Sequence, residues 1–387
     1  MKPQKILIIN TKYRIFGGED SNIADEITLL KKHFDVEYIE FNNSELINIF
    51  DFVSFFVNSN ILSNKRLKRL INEFKPDVAY VHNTWFKANL GIFKILNKEN
   101  IKVLHKIHNY RFDCARHLKS SKHLKKNVQC PACGVEKHKL GIYNKYYSES
   151  FVKSFFLNIY SKRYFKILKN NSISLLVLSN FQKKFLIDIG IHENKLFLYQ
   201  NPIEINKKLL SEYNSSSKYV VFAGRLVDNK GINELLDVWT RLNSKNLILK
   251  IIGSGENDKF LLEKYDSPSI EFLGHLDNNK VKELIRKSRA VVTGTKLFEG
   301  QPRVLLEASS YGVPSLYPSF GGMNDFFPQN YLFTFKQYDY DDLFIKMSNF
   351  ENEELLNQES QRIIDHVSLN FSEEVLIGKF KKIMDNS

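Results

Sequence analysis

Ala290-Val291-Val292-Thr293, then Phe298-Glu299-Gly300-Gln301-Pro302-Arg303-Val304-Leu305-Leu306-Glu307-Ala308, closing on Tyr311-Gly312-Val313-Pro314, reads as strand, loop and helix in that order. A short β-branched apolar run suits a strand buried on both faces of a parallel sheet. Pro302 suits the first helical position, where a missing N–H costs nothing. Gly312 and Pro314 end the helix in the expected way. A helix that follows such a strand turns its N-terminus toward the carboxyl edge of the sheet, where unpaired N–H groups and the helix dipole favour an anion, such as a diphosphate. Glu299 in the loop and Glu307 in the helix place two carboxylates at that site, able to accept hydrogen bonds from sugar or ribose hydroxyls.

The same alternation extends in both directions. Apolar runs recur at Lys5–Asn10, Val78–His82, Val103–His108, Leu175–Ser179 and Leu196–Gln200. A second series follows at Tyr219–Ala223, Leu247–Ile252, Ile270–Leu273, Ala290–Thr293, Ser315–Tyr317 and Tyr331–Phe335. Helical stretches lie between them, such as Ile232–Asn243 with Leu235, Leu236 and Trp239 on one face. Strands alternating with helices predict βαβ units and doubly wound α/β sheets. The pattern runs through twice, and the polar stretch Lys207–Lys218 after Asn201-Pro202 reads as a linker. Two domains are therefore expected, 1–203 and 204–367, followed by an amphipathic helix over 368–387 with Val375, Leu376, Phe380 and Ile383 as its apolar face.

A chain of 387 residues is too long for one ordinary core. Its 43% hydrophobic and 26% charged content is the balance of a soluble enzyme, and no run approaches the roughly 18 apolar residues a membrane span needs. The N-terminal apolar run is short and reads as a first strand and not a signal peptide, so a cytoplasmic location is expected. A net charge of +13 favours anionic partners: phosphate-bearing small molecules, anionic lipid or nucleic acid. A bias toward Lys and Asn with no partner implied is the plainer reading. Cys114, Cys130 and Cys133, an odd and sparse set, argue against a disulfide scaffold.

Phe222-Ala223-Gly224-Arg225-Leu226-Val227-Asp228-Asn229-Lys230-Gly231 adds a second signal. Arg225 and Lys230 lie on the loop after a strand, where a guanidinium fork and a point charge suit a diphosphate and the charge that develops as it leaves. Together with the Glu-x7-Glu segment, this resembles the family-4 retaining glycosyltransferases of GT-B fold. The resemblance implies two doubly wound, Rossmann-like α/β domains facing across a cleft, with 1–203 binding the acceptor, 204–367 the donor, and the helix over 368–387 packing back on 1–203. It gives Glu299 to the donor sugar, Glu307 to the ribose, and Arg225 and Lys230 to the diphosphate. It places His108, in Ile107-His108-Asn109, near the donor sugar, and Gly17-Gly18, in a loop that opens a helix at about Asn22, against the donor phosphate. Gly224, Gly253, Gly300, Gln301 and Pro302 complete the expected donor contacts, and backbone amides of Phe320-Gly321-Gly322-Met323 lie near them. Catalysis with retention, without a catalytic metal, is what the resemblance implies. The resemblance further implies a UDP- or GDP-sugar donor and a glycan or lipid-linked acceptor, in bacterial surface polysaccharide synthesis. The run Gln301-Pro302-Arg303 departs from the usual pattern and leaves the donor sugar open.

Three features stand outside those motifs. His82 also ends a strand, where a structural role is the plainer reading. Cys130-Pro131-Ala132-Cys133, with Cys114 upstream, reads either as a structural zinc site or as reduced thiols in a packed loop. Phe151–Lys169 interleaves aromatic and basic residues, and with Lys65-Arg66-Leu67-Lys68-Arg69 reads either as an anionic-membrane surface or as a helix packed on its own sheet. Rival readings are a nucleotide-sugar epimerase or hydrolase, or a basic nucleic-acid binder; the latter has the charge but no recognisable binding motif, so no nucleic-acid partner is expected.

Overall fold

The computed structural model describes residues 4–12, 17–43, 49–110, 130–132, 134, 150–205, 213–256 and 258–386, with side chains 49–52 left aside. The chain divides into two compact units. Unit 1 comprises Met1–Gln129, Val135–Pro202 and Glu373–Ser387; unit 2 comprises Cys130–Gly134 and Ile203–Ser372. The sequence put all of 1–203 in the first domain. The short piece around Cys130 instead packs in unit 2, where the Phe298 N–H donates to the Pro131 carbonyl.

Each unit is built on a six-stranded sheet whose paired strands all run parallel. In unit 1, β1 (Lys5–Lys12), β2 (Asp35–Asn42), β3 (Val78–Val81), β4 (Lys102–Ile107), β5 (Ile173–Val177) and β6 (Leu196–Leu198) lie in the order β2-β1-β3-β4-β5-β6. The connecting helices are α1 (Gly18–Lys31), α2 (Ile49–Val57), α3 (Ile61–Phe74), α4 (Gly91–Lys98), α5 (Phe151–Leu168) and α6 (Asn180–Asp188). In unit 2, β7 (Tyr219–Ala223), β8 (Ile248–Ile252), β9 (Ile270–Gly274), β10 (Ala290–Val292), β11 (Ser315–Pro318) and β12 (Thr334–Phe335) lie in the order β12-β11-β10-β7-β8-β9. Its helices are α7 (Ile232–Leu242), α8 (Asp258–Lys264), α9 (Asn278–Arg286), α10 (Arg303–Ser310), α11 (Tyr340–Ser348) and α12 (Glu353–Phe371).

The run Ile6-Leu7-Ile8-Ile9 shows why these strands read as continuous apolar stretches. Successive side chains point to opposite faces, and both faces are covered. Leu7 and Ile9 pack with Leu67 of α3, Leu96 of α4 and Tyr164 of α5. Ile6 and Ile8 pack with Leu30 of α1 and with Leu376, Phe380 and Ile383. Those last three belong to the C-terminal helix (Glu373–Asn386), which lies in unit 1. Phe380 sets its ring 5.8, 5.3 and 5.2 Å from those of Phe34, Tyr80 and Tyr199. Burying that one side chain contributes about 1.5–3 kcal/mol. Glu373 anchors the helix start through Lys32 at 2.6 Å and His33 at 2.8 Å.

Several boundaries differ from those expected. The last helix starts at Glu373 and not at Ser368, because Ser372 (φ −59°, ψ 154°) breaks the chain out of α12. α1 starts at Gly18 and not near Asn22: Gly17 is its extended N-cap, and its N–H donates to the Asp20 carboxylate at 3.0 Å. Pro302 is the N-cap of α10 and not its first residue, since its ψ of 124° is extended. Of Tyr331–Phe335 only Thr334–Phe335 forms a strand, with the Phe333 carbonyl ahead of it accepting from the Tyr317 N–H at 3.3 Å. β2 was not foreseen.

Candidate functional site

At the carboxyl edge of the unit 2 sheet, the loops after β7, β8 and β10 touch backbone to backbone. The Gly224 N–H donates to the Ile252 carbonyl at 2.9 Å, and the Leu226 N–H to the Ser254 carbonyl at 3.1 Å. Gly253 (φ +137°) lies so close to this loop that a Cβ would stand 1.9 Å from the Gly224 oxygen. Gly231 (φ +66°) meets Gly294 in the same way, with 2.0 Å left for a Cβ against the Gly294 oxygen. Only glycine permits both the left-handed backbone and the approach.

This contact brings two charged loops together. Asp228–Lys230 is a single 3-10 turn that ends at Gly231. From it, Lys230 forms an ion pair with Glu299. The Thr295 hydroxyl donates to the same Glu299 oxygen at 3.1 Å, and the Lys296 N–H donates to the Asn229 carbonyl at 2.9 Å. Lys296 also pairs with Glu234 at the start of α7. The Gly321-Gly322 turn closes on the other side, with the Gly322 N–H donating to the Glu299 carbonyl at 3.2 Å. One turn into α10, Arg303 Nε donates to Glu307 at 2.8 Å. Lys230, Glu299, Arg303 and Glu307 are all partly buried, with side chains 16–24% exposed. A cation and a carboxylate held in contact at a parallel sheet's carboxyl edge can bind a phosphate and a hydroxyl of one ligand.

Unit 1 has its own polar cluster just past the ends of β3 and β4. His82 Nδ1 and His108 Nε2 are 2.9 Å apart and share one hydrogen bond. Burial first holds both imidazoles well below their usual value, followed for His82 by His108 and then Lys106 and for His108 by the Lys106 charge. The pair is therefore neutral at pH 7. The other nitrogen of His82, Nε2, is buried without a partner among the described residues. The two histidines line a small cleft with Glu19, Thr84, Asn109 and Tyr160. Beneath them Lys106 and Glu26 form a fully buried ion pair at 2.9 Å.

Residues 206–366, the helices and loops that carry the Lys230–Glu299 pair, match the family model described as glycosyl transferases group 1. That segment is similar to group 1 glycosyl transferase domains. The whole chain superposes on the crystal structure of a glycosyltransferase from Rickettsia africae with a TM-score of 0.67, at 15% identity over 100% of both chains. It also superposes on Anabaena HepE in complex with UDP-glucose, TM-score 0.63 at 13% identity, over 98% of this chain and 99% of that one. Together these give the chain the GT-B fold. The amylovoran biosynthesis glycosyltransferase AmsD of Erwinia amylovora is 34% identical over 99 residues, 25% of this chain. The chain spans only 28% of that relative's length.

Within unit 2, the structure brings together Lys230, Glu299, Gly300 and the α10 N-terminus with Gln301 and Pro302. Gly224 and Gly253 act through backbone contacts with each other. Arg225 is exposed and has no ion pair among the described residues, although it shares the loop with Lys230. Glu307 is already held by Arg303. Gly17 and Gly18 open α1 in unit 1, with open space at Gly17. Cys130 is buried, while Cys114 and Cys133 lie outside the described residues; among those described, no three His, Cys, Asp or Glu side chains cluster as metal ligands do. The sequence reading missed Thr295, Lys296, Arg303 and Glu26. Arg303 alone left a trace, as the departure after Pro302; the others are ordinary residue types whose roles come from loop contacts.

Proposed function

We propose that this chain is a glycosyltransferase that moves a sugar, with retention, from a nucleoside diphosphate sugar to a glycan or lipid-linked acceptor in surface polysaccharide synthesis. The observation that carries the reading is the Lys230–Glu299 pair clamped by Gly231 and Gly294 at the carboxyl edge of the unit 2 sheet. In this reading Lys230 and Arg225 neutralise the diphosphate as it leaves, a role in which one well-placed group is worth about 10²–10³ in rate. Glu299 accepts from a hydroxyl of the donor sugar, and Glu307, steadied by Arg303, from the ribose. The UDP-glucose held by HepE and the polysaccharide pathway named for AmsD support a UDP-sugar donor and a glycan product. His108 is assigned to the same reaction.

The test has two steps. A thermal-shift panel with UDP, GDP, ADP and their sugars names the donor, since a ligand at 100 times its Kd adds about 2.7 kcal/mol of stability. Transfer is then measured for Lys230→Ala and Glu299→Gln, each expected to lose about 10²-fold or more in kcat/KM. Wild-type rates in Glu299→Gln would sink the assignment, as would release of free sugar whether or not an acceptor is present.

A further inference from the structure

The turn between α2 and α3 and the first turns of α5 leave an apolar cluster in solvent. Ile61 and Leu62 are 79% and 77% exposed, Val57 63%, and Phe151 and Val152 45% and 56%. They belong to one surface of unit 1. Phe56 and Phe156 set their rings 4.7 Å apart across the two segments, and Arg163 Nη1 donates to the Phe55 carbonyl at 2.9 Å. Each helix already has a buried face, so these outward side chains add nothing to the core, and a contiguous patch of this kind marks an interaction surface.

Among the described side chains the charge around the patch is mostly positive. Beside it runs a groove of about 600 Å³ lined by Lys94, Arg163, Lys166 and Lys169 together with Val57 and Phe93. On the other side α3 carries the exposed Lys65, Lys68 and Arg69. α4 and α5 contain no acidic residue, and α3 contains only Glu73, which faces Arg69 at 3.9 Å. Bringing two copies of such a face together would oppose like charges. A surface that offers apolar depth under a layer of phosphates fits both halves of the pattern. Among the described residues no helix is long and apolar enough to cross a membrane.

We propose that this face docks unit 1 onto an anionic lipid bilayer, with Val57, Ile61, Leu62, Phe151 and Val152 at the acyl boundary and the groove cations on lipid phosphates. The inference does not rest on the sugar-transfer reading. It is tested by sedimenting the full chain with vesicles of phosphatidylcholine alone and of phosphatidylcholine mixed with phosphatidylglycerol. Binding is expected to the mixed vesicles only, and to weaken as salt rises. Lys166→Gln/Lys169→Gln should weaken it about twentyfold, near fivefold for each cation removed. Ile61→Ser/Leu62→Ser should weaken it about tenfold or more. All four side chains are exposed, so the thermal midpoint and any nucleotide shift should stay at wild-type values. No sedimentation of the wild-type chain with mixed vesicles overturns the proposal. So does equal binding by both double variants, or a wild-type dimer that Ile61→Ser/Leu62→Ser dissociates. Loss of sugar transfer in Glu299→Gln with vesicle binding intact separates the two readings.

Discussion

Lys106→Met removes one half of an ion pair that water does not reach. Lys106 Nζ stands 2.9 Å from Glu26 Oε2, both side chains are fully buried, and the ammonium lies 4.8 Å from the Tyr199 ring centre. Burial alone pulls the Lys106 pKa down; the Glu26 carboxylate opposes that shift and keeps the charge in place. Without the cation, Glu26 keeps the 2.6 Å hydrogen bond from the Tyr80 hydroxyl and an uncompensated buried charge. Breaking such a pair costs about 3–5 kcal/mol, a large part of the roughly 5–15 kcal/mol that holds a domain folded. Lys106→Met/Glu26→Leu, which removes both charges, should regain most of the loss. The assay is urea unfolding at pH 7. Of the chain's two tryptophans, Trp85 lies in unit 1 and Trp239 in unit 2, so fluorescence in a Trp239→Phe background reports the unit that holds the pair. A single variant within about 1 kcal/mol of its parent, or a double variant no more stable than the single one, would refute the reasoning.

Two further outcomes follow from the same geometry. His105 is held neutral, its Nδ1–H donating to the Val81 carbonyl at 2.8 Å while Nε2 accepts from the Tyr164 hydroxyl at 2.6 Å. Burial lowers its pKa from 6.5 to about 4. The unfolded chain therefore binds the extra proton first, and stability that is complete above pH 6.5 declines by about 3 kcal/mol as pH falls to 4. His82 and His108 act in the same direction, and His105→Gln should flatten the acid limb of a stability–pH profile. Gly231→Ala places a Cβ on the Gly294 oxygen from a left-handed backbone, costing about 1–3 kcal/mol in strain. Because the loop carrying Lys230 must shift away from the leaving diphosphate, kcat should fall more than KM for the nucleotide sugar rises; an unchanged kcat in steady-state kinetics would count against the clamp.

The buried strands were readable because their periodicity survives without context. Ile6–Ile9 is apolar at every position since both faces of the sheet are covered, and the same is true of Val78–Val81 and Leu175–Val177. β2 escaped for the opposite reason. Asp35-Val36-Glu37-Tyr38-Ile39-Glu40-Phe41-Asn42 alternates and then changes phase at Tyr38-Ile39, with Val36 and Tyr38 packing on one face of this edge strand and Ile39 and Phe41 on the other, so it shows neither a continuous apolar run nor a clean period of two. Helix ends slipped by a few residues where one dihedral decides them, as at Gly17, Pro302 and Ser372.

For the site, the chain itself fixed which loops matter, because glycines and charges at strand ends stand out against apolar runs: Gly224 to Gly231, and Glu299 to Glu307. It could not show that Lys230 and Glu299 meet, that Arg303 occupies Glu307, or that Pro131 joins the Phe298 loop. The resemblance implied that the C-terminal helix returns to the first domain, but the sequence did not show which face it covers, the one formed by Ile6, Ile8 and Tyr80. Those are contacts between residues tens to hundreds of positions apart, and local sequence carries no record of them. Periodicity and turn chemistry act over one element and so determined the sheets. Pairing of charges acts through space, and only the tertiary structure decided it.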